Sequence, residues 1–313
     1  MIRRPPRSTH CISSAASDVY KRQILAYLCM KSSNLVSTAE LADHLDDPSW
    51  ILIDCRFNLN FPEKGENDYQ EAHIPGALYA HLDRDLSAPV GNGQRGRHPL
   101  PDPETCVQTF SSFGIEAGKQ VVAYDDSGGA ISGRLWWMLQ WLGHENTALL
   151  DGGWQQWIQE KRELSSGQET ALSWEFQADT PKPWILEAEQ IMDALKNDEI
   201  LLLDVRNGSR FRGEKEPIDP IAGHIPGAKN EPFQVNLEDN GLWKNAETLR
   251  RKYLERFPEL DHKKCVPYCG SGVTACHTFF ALRYAGFDHL SIYPGSWSEW
   301  ISDASRHVAV GEE

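Results

Sequence analysis

Leu201-Leu-Leu-Asp204-Val-Arg206 repeats a segment that lies 150 positions earlier (201 minus 51), Ile51-Leu-Ile-Asp54-Cys-Arg56. A second motif returns in the same way, because Ala72-His73-Ile-Pro-Gly-Ala77 reappears as Gly223-His224-Ile-Pro-Gly-Ala228. Two more blocks keep the same order in both halves, residues 119–125 with 263–269 and residues 151–157 with 294–300. Four collinear matches predict that one domain has been duplicated.

Each copy alternates short apolar runs with segments of helical pattern. Runs such as Leu201–Val205 and Val121–Tyr124 are too short for helices and are flanked by polar residues, as in strands buried in a mainly parallel sheet. Helices are predicted at residues 39–45, 133–142, 188–196 and 274–284. The predicted fold class is therefore α/β, with two tandem domains that each have a mainly parallel central sheet flanked by helices.

The 313 residues allow about two domains at roughly 150 residues each. We expect an N-terminal domain at 35–160, a linker at 161–183 containing loop-forming Ser, Gly and Pro, and a C-terminal domain at 184–308. Residues 1–23 carry five Lys or Arg and one Asp and closely resemble a translated sequencing-library adapter. They are predicted to be adapter-derived or disordered, with a transit peptide as the alternative.

Composition excludes several classes of protein. The net charge of −14 argues against nucleic acid as a partner, because phosphate binding needs a basic surface. No apolar run approaches the ~18 residues of a membrane span, so we expect no membrane partner. Seven cysteines are too few for a secreted disulfide scaffold, which favours reduced thiols and a cytoplasmic location.

The segment Cys269-Gly-Ser-Gly-Val-Thr-Ala275 is placed where ligands bind in α/β sheets, between a strand end and a helix start. Its glycines permit a tight turn in which amide N–H groups surround the sulfur, and the helix dipole adds to their field. Such surroundings favour a thiolate, so Cys269 is a candidate nucleophile. The sister loop has Asp125 at this place, which predicts one reactive copy and one silent copy.

Three other interpretations of the loop are weak. A dinucleotide site would need a well-placed acid about 20 residues on, and only Asp288 is available. A cysteine phosphatase would need Arg six residues after the Cys, where Ala275 stands. A metal site is disfavoured because paired ligand spacing is absent from Cys265, Cys269, Cys276 and His277.

These blocks together resemble the rhodanese superfamily, and within it the tandem-domain sulfurtransferases that act on thiosulfate or 3-mercaptopyruvate. The resemblance spans about residues 35–310 and includes the terminal Gly295-Ser-Trp-Ser-Glu-Trp300. It implies a sulfurtransferase in which Cys269 takes a sulfur atom as a persulfide and passes it to cyanide, a thiol or thioredoxin. No metal or organic cofactor is implied. The small-molecule donor and acceptor are the implied partners.

The resemblance also implies roles for particular residues. Cys269 and Ser271 would be catalytic, and the substrate-binding residues would be Arg210, Gly270, Gly272, Val273 and Thr274. The loop sequence looks like the mercaptopyruvate type. Mercaptopyruvate enzymes, however, have a second Arg where this chain has Ile218, so the preferred donor stays open.

Several residues allow two interpretations. His73 is a possible site residue, but an imidazole that fixes its turn is favoured. Trp297 could wall the thiol pocket, whereas most of the tryptophans are expected in packing between and within domains. The recurring Asp-x-Arg segments are expected to be structural ion pairs. A non-catalytic binding module, or a thiol redox sensor, is the alternative function.

Overall fold

The computed structural model describes residues 34–91 and 93–312, so the prediction for residues 1–23 lies outside the described residues. The first half contains β1 (Leu35–Val36), α1 (Thr38–Ala42), β2 (Trp50–Asp54), α2 (Lys64–Glu71), β3 (Leu78–Tyr79), α3 (Pro103–Ser112), β4 (Gln120–Tyr124), α4 (Ser132–Trp141), β5 (Thr147–Leu150) and α5 (Gly153–Gln159). The second half contains α6 (Ala188–Lys196), β6 (Ile200–Asp204), α7 (Gly208–Phe211), β7 (Lys229–Asn230), α8 (Ala246–Arg256), β8 (Lys264–Tyr268), α9 (Val273–Tyr284) and α10 (Ser296–Trp300).

The sheet of the first half is parallel throughout, with strand order β1-β5-β4-β2-β3. The second sheet has the order β7-β6-β8, also parallel, and single bridges at Leu290 and Ile292 continue it beyond β8. Asp54 lies opposite Tyr124 in the first sheet, as Asp204 lies opposite Tyr268 in the second. The predicted α/β class and the duplication are confirmed.

The Asp-x-Arg segment of each copy forms a buried ion pair at a strand end. In the first copy, Arg56 donates to both carboxylate oxygens of Asp54 and, at 2.6 Å, to the carbonyl of Ala72. Arg206 makes the same contacts with Asp204 and the carbonyl of Gly223. Each pair ties a central strand to the segment that precedes the His-Ile-Pro-Gly turn. This arrangement is structural.

The two halves share one apolar core, because α4 and α9 pack directly against each other. A Cβ atom at Gly133 would lie 3.2 Å from the backbone of His277, so glycine permits this close approach. Around the contact, Trp136 packs edge-on against Phe280 at 4.9 Å. Burial of such aromatic surface stabilises the interface, and it fixes the position of one half against the other.

The segment 161–183 runs along the first half in the described chain. Ser165 pairs with His73 through two backbone hydrogen bonds of 2.9 Å, and Phe176 is buried against Phe110. Farther on, the amide of Asp179 donates to the carbonyl of Leu142. No helix among the described residues is both long and apolar enough to cross a membrane.

Candidate active site

The sulfur of Cys269 opens onto a cavity of about 310 Å³ between the two halves. Cys269 directly follows β8 and is only 3% exposed. Its amide donates to the Ser296 hydroxyl at 3.0 Å, and its carbonyl accepts from the Trp297 amide. The cavity is lined by Phe57, Asn58, Leu59, Leu82, Arg97, His98, Ile131, Arg210, Ile218, Cys269, Gly270, Ser271, Val273 and Thr274.

Most of the predicted loop residues line this cavity, but Gly272 lies behind it. Gly272 has φ 79°, and a Cβ atom there would be 2.2 Å from the carbonyl oxygen of Pro294. Both the left-handed backbone and the close contact require glycine. Gly272 therefore shapes the loop, while Gly270, Ser271, Val273 and Thr274 face the cavity.

The Asp125 loop of the first copy shows what this type of loop binds. The carboxylate of Asp125 accepts four amide hydrogen bonds of 2.8–2.9 Å, from Ser127, Gly129, Ile131 and Ser132. A loop at this point of the fold is thus a cradle for an anion. In the second copy, the amides of residues 270–274 donate to no acceptor in the described chain. They are available to a group bound beside Cys269.

Part of the Asp125 loop is also covered by the second half. A Cβ atom at Gly128 would lie 2.5 Å from Cδ1 of Leu237, and one at Gly129 would lie 2.8 Å from the ring of Trp243. The carbonyl of Gly128 also lies 3.1 Å from the Nε2 atom of His277. Side chains of the second half therefore cover Gly128 and Gly129, and the cavity that remains beside Asp126 and Ser127 has a volume of only about 100 Å³.

Ser271 is joined to a histidine of the other half. Its Oγ lies 2.7 Å from Nδ1 of His98, and Nε2 of His98 lies 3.2 Å from a carboxylate oxygen of Asp83. Burial lowers the pKa of His98 below its ordinary 6.5, although Asp83 opposes this effect. The hydrogen bond from His98 in turn holds the pKa of Asp83 below its usual value.

A neutral His98 follows from the lowered pKa. With the Nε2 proton directed to Asp83, Nδ1 is free to accept the Ser271 hydroxyl proton. The serine, the imidazole and the carboxylate thus form a hydrogen-bonded chain that ends beside Cys269, and a chain of this kind can pass a proton. Sequence reasoning selected Ser271 but missed His98 and Asp83.

Arg210 lies in the cavity as predicted, with its guanidinium group already bound on one edge. Its Nε and Nη2 atoms donate to Glu216, and Nη2 also donates to Asp219 at 3.0 Å. Burial raises the pKa of Glu216, but hydrogen bonds from Arg210 and from two amides outweigh it, so the pKa is lowered overall. A second guanidinium, that of Arg97, also lines the cavity and was missed by sequence reasoning.

Two possible site residues lie away from the cavity. His73 is fully buried, and its Nδ1 lies 2.8 Å from the carbonyl of Tyr69, on whose ring it stacks. Trp297 is buried in a second core cluster, and its indole N–H donates to the carbonyl of Ile221. Neither side chain can touch a molecule bound at Cys269 without rearrangement.

Arg134 is fully buried where the halves meet, yet its side chain has no carboxylate partner among the described residues. Its guanidinium donates to the carbonyls of Leu86, His98 and Gly272 at 3.3–3.4 Å. It therefore fastens the Cys269 loop to the segment that carries His98. In the described chain no group of three or more His, Cys, Asp or Glu could hold a metal ion.

Comparisons with known proteins show the family to which this chain is related. A family model described as the rhodanese-like domain matches residues 37–160 and again residues 187–303. A probable 3-mercaptopyruvate sulfurtransferase of Pseudomonas aeruginosa is 44% identical over 284 residues, which cover 90% of this chain and 100% of that protein. A putative thiosulfate sulfurtransferase of Mycobacterium tuberculosis is 38% identical over 88% of this chain and 97% of its own.

A solved structure is similar over nearly the same span. The 3-mercaptopyruvate sulfotransferase SseA from Escherichia coli has a TM-score of 0.74 and 30% identity, covering 84% of this chain and 98% of that one. The chain therefore belongs to the rhodanese family, as a tandem-domain sulfurtransferase. The predicted family and enzyme class are confirmed. Such an enzyme takes sulfur from a small-molecule donor and transfers it to an acceptor.

Proposed function

We propose that Cys269 carries the transferred sulfur as a persulfide, taking it from 3-mercaptopyruvate or thiosulfate. The observation that carries this proposal is the contrast between the two loops. Asp125 supplies its own anion to the amide cradle, whereas residues 270–274 leave their amides free next to a thiol. Amide donors suit a persulfide, whose negative charge lies on its terminal sulfur.

With mercaptopyruvate, the Cys269 thiolate attacks the donor's thiol sulfur and forms an S–S bond. The C–S bond breaks, and its electron pair stays on the three-carbon fragment as the enolate of pyruvate. The proton that began on the donor's thiol ends on the methyl carbon of pyruvate. Ser271 passes this proton, a role supported by its 2.7 Å contact with His98.

With thiosulfate, the same thiolate attacks the outer sulfur, and sulfite leaves with the electron pair of the broken S–S bond. No proton is required in this step. In the second half-reaction, an acceptor such as cyanide or a thiolate attacks the terminal sulfur of the persulfide and restores the Cys269 thiolate. Thioredoxin is the protein acceptor that we propose, and a cytoplasmic location suits the sparse cysteines.

Donor binding is assigned to the cavity wall beside the sulfur. Arg210 would bind the donor's anionic group, because its Nη1 atom donates to no described residue and lies close to Gly270. The carbonyl oxygen or sulfonate of the donor would accept from the amides of Gly270, Val273 and Thr274. Several weak contacts of this kind orient the reacting sulfur toward Cys269.

The test is the intact mass of the protein after incubation with either donor. We expect the wild type to gain the mass of one sulfur atom and to lose it to cyanide with formation of thiocyanate. Cys269→Ser should gain nothing, whereas the matched Cys276→Ser, a buried thiol outside the cavity, should still gain sulfur. Absence of added sulfur in the wild type with both donors would refute the proposal.

A further inference from the structure

The cations beside Cys269 come from both halves of the chain and converge on one residue. A Cβ atom at Gly270 would lie 3.0 Å from Nη2 of Arg97 and 3.7 Å from Nη1 and Nη2 of Arg210. Arg97 belongs to the first half and Arg210 to α7 of the second. Both guanidinium groups therefore flank the position next to the sulfur.

One carboxylate, that of Asp219, binds both guanidinium groups. Asp219, whose side chain is only 3% exposed, accepts from Nη1 of Arg97 at 2.5 Å and from Nη2 of Arg210 at 3.0 Å. Each guanidinium keeps another edge free, because Nε and Nη2 of Arg97 and Nη1 of Arg210 donate to no described residue. The free Nη2 of Arg97 and the free Nη1 of Arg210, which both lie beside Gly270, can together hold an anion such as a carboxylate.

The charges of this cluster cancel. Arg97 and Arg210 contribute two positive charges, and Asp219 and Glu216 contribute two negative charges. Ile218, which lines the same cavity and is 43% exposed, adds none. A bound monoanion thus leaves the cluster with a charge of −1, and a dianion leaves it with −2. Because the groups are largely removed from water, this difference is screened less than at an open surface.

We propose that Asp219 is the specificity-determining residue that makes the Arg97–Arg210 clamp prefer monoanionic donors, such as 2-oxo carboxylates, over the dianion thiosulfate. The proposal rests on the proposed sulfur transfer at Cys269. Among the described residues, the carboxylate of Asp219 pairs with the two arginines alone, so it acts through them. It fixes their spacing across the two halves and sets the net charge that the donor meets.

The experiment compares the two donors in Asp219→Asn. Removing one negative charge favours a dianion over a monoanion by one extra Coulomb interaction, and we expect the ratio of kcat/KM for thiosulfate to that for mercaptopyruvate to rise about tenfold. This rise should come mainly from a lower KM for thiosulfate. Asp219→Glu, which keeps the charge, should stay within about twofold of the wild-type ratio.

The matched control is Glu214→Gln, which removes a nearby exposed charge that pairs with Arg212 outside the cavity. An unchanged ratio in Asp219→Asn with both donors still active would overturn the proposal, as would an equal rise in Glu214→Gln. A wild type that transfers no sulfur from either donor would refute the proposed function, and this proposal with it.

A binding measurement on the wild type needs no turnover and no variant. Pyruvate and sulfate serve as probes, each added at constant ionic strength while iodoacetamide alkylates Cys269. We expect pyruvate to protect the thiol at a concentration about tenfold below that of sulfate. Equal or better protection by sulfate would overturn the proposal, even if Asp219→Asn fails to fold.

Discussion

Replacing His98 by Gln should slow sulfur transfer from mercaptopyruvate much more than transfer from thiosulfate, because only the reaction with mercaptopyruvate needs a proton. The Nδ1 atom of His98 lies 2.7 Å from the Ser271 hydroxyl and accepts its proton in the neutral imidazole. Glutamine can still accept a hydrogen bond but has no basic nitrogen. Sulfur transfer from mercaptopyruvate therefore loses the proton relay, whereas sulfur transfer from thiosulfate loses only the contact that positions Ser271.

The magnitude follows from these two contributions. A proton relay typically contributes about 10²–10⁴ in rate, and a neutral hydrogen bond about 1 kcal/mol, or about fivefold. We expect kcat with mercaptopyruvate to fall at least about a hundredfold in His98→Gln, against less than about tenfold with thiosulfate. The assay measures pyruvate and thiocyanate release, with cyanide as the common acceptor.

The pH profile gives a second readout. Burial lowers the pKa of His98 below 6.5, so the imidazole is neutral at pH 7 and becomes charged only at lower pH. The ratio of mercaptopyruvate to thiosulfate activity should therefore be flat above neutrality and fall as the pH drops through that lowered pKa. Taking the ratio cancels any pH effect that the two donors share, because both react with Cys269.

The control is His73→Gln, which changes another buried histidine, on the Tyr69 side of the first domain. It should lower Tm without altering the donor ratio. Equal losses with both donors in His98→Gln would refute the reasoning, and so would a pH-dependent ratio that survives in that variant.

Two further predictions concern the loop and its thiol. Iodoacetamide at pH 8 should alkylate Cys269 and none of the other four described cysteines, which peptide mass spectrometry would check. The reason is that burial keeps the other thiols protonated; for Cys276, for example, it raises the pKa to about 12. Gly272→Ala should lower the free energy of unfolding by at least about 2 kcal/mol, because the left-handed backbone cost is joined by the clash with Pro294. Gly241→Ala, with φ 84° and nothing within 4 Å of the added Cβ, should show only the backbone cost in the same denaturant titration, and equal losses in both variants would contradict this account.

The fold class was predictable because the duplication presents each sequence motif twice. A strand such as Leu201–Val205 is ambiguous alone, but the matching run at Ile51 and the repeated His-Ile-Pro-Gly turn remove the ambiguity. The structure shifts this strand by one residue, to Ile200–Asp204, and keeps α6 at the predicted 188–196. In these predicted elements only the ends differ, where local hydrogen bonds rather than periodicity decide, but no helix was predicted at α2, α3 or α8.

Only part of the candidate site could be predicted from the sequence, because its residues come from both halves of the chain. Cys269, Ser271 and Arg210 lie in the second half, close to its repeated motifs. His98 contacts Ser271 from 173 residues away, and Arg97 precedes it. These residues have no counterpart in the repeat pattern, so no internal comparison selects them. The adjacent basic pair in Gly96-Arg97-His98-Pro99 was the available signal, but no spacing rule connects it to the thiol.

The structure places the ring of Trp297, a possible wall of the thiol pocket, away from the cavity. Trp297 follows the segment that packs on the Cys269 loop, and its amide does bind the Cys269 carbonyl. Its ring, however, lies over Arg206, at 4.8 Å, within the second core cluster. Backbone and side chain face different sides of the sheet, which the sequence cannot tell.

The side chains of Leu237 and Trp243, which cover part of the Asp125 loop, have a consequence for any redesign of the first copy. Replacing Asp125 by Cys would supply a thiol, but side chains of the other half would still lie against Gly128 and Gly129. The same contacts hold the two halves together. A second reactive thiol in this fold would therefore require changes in both halves of the chain.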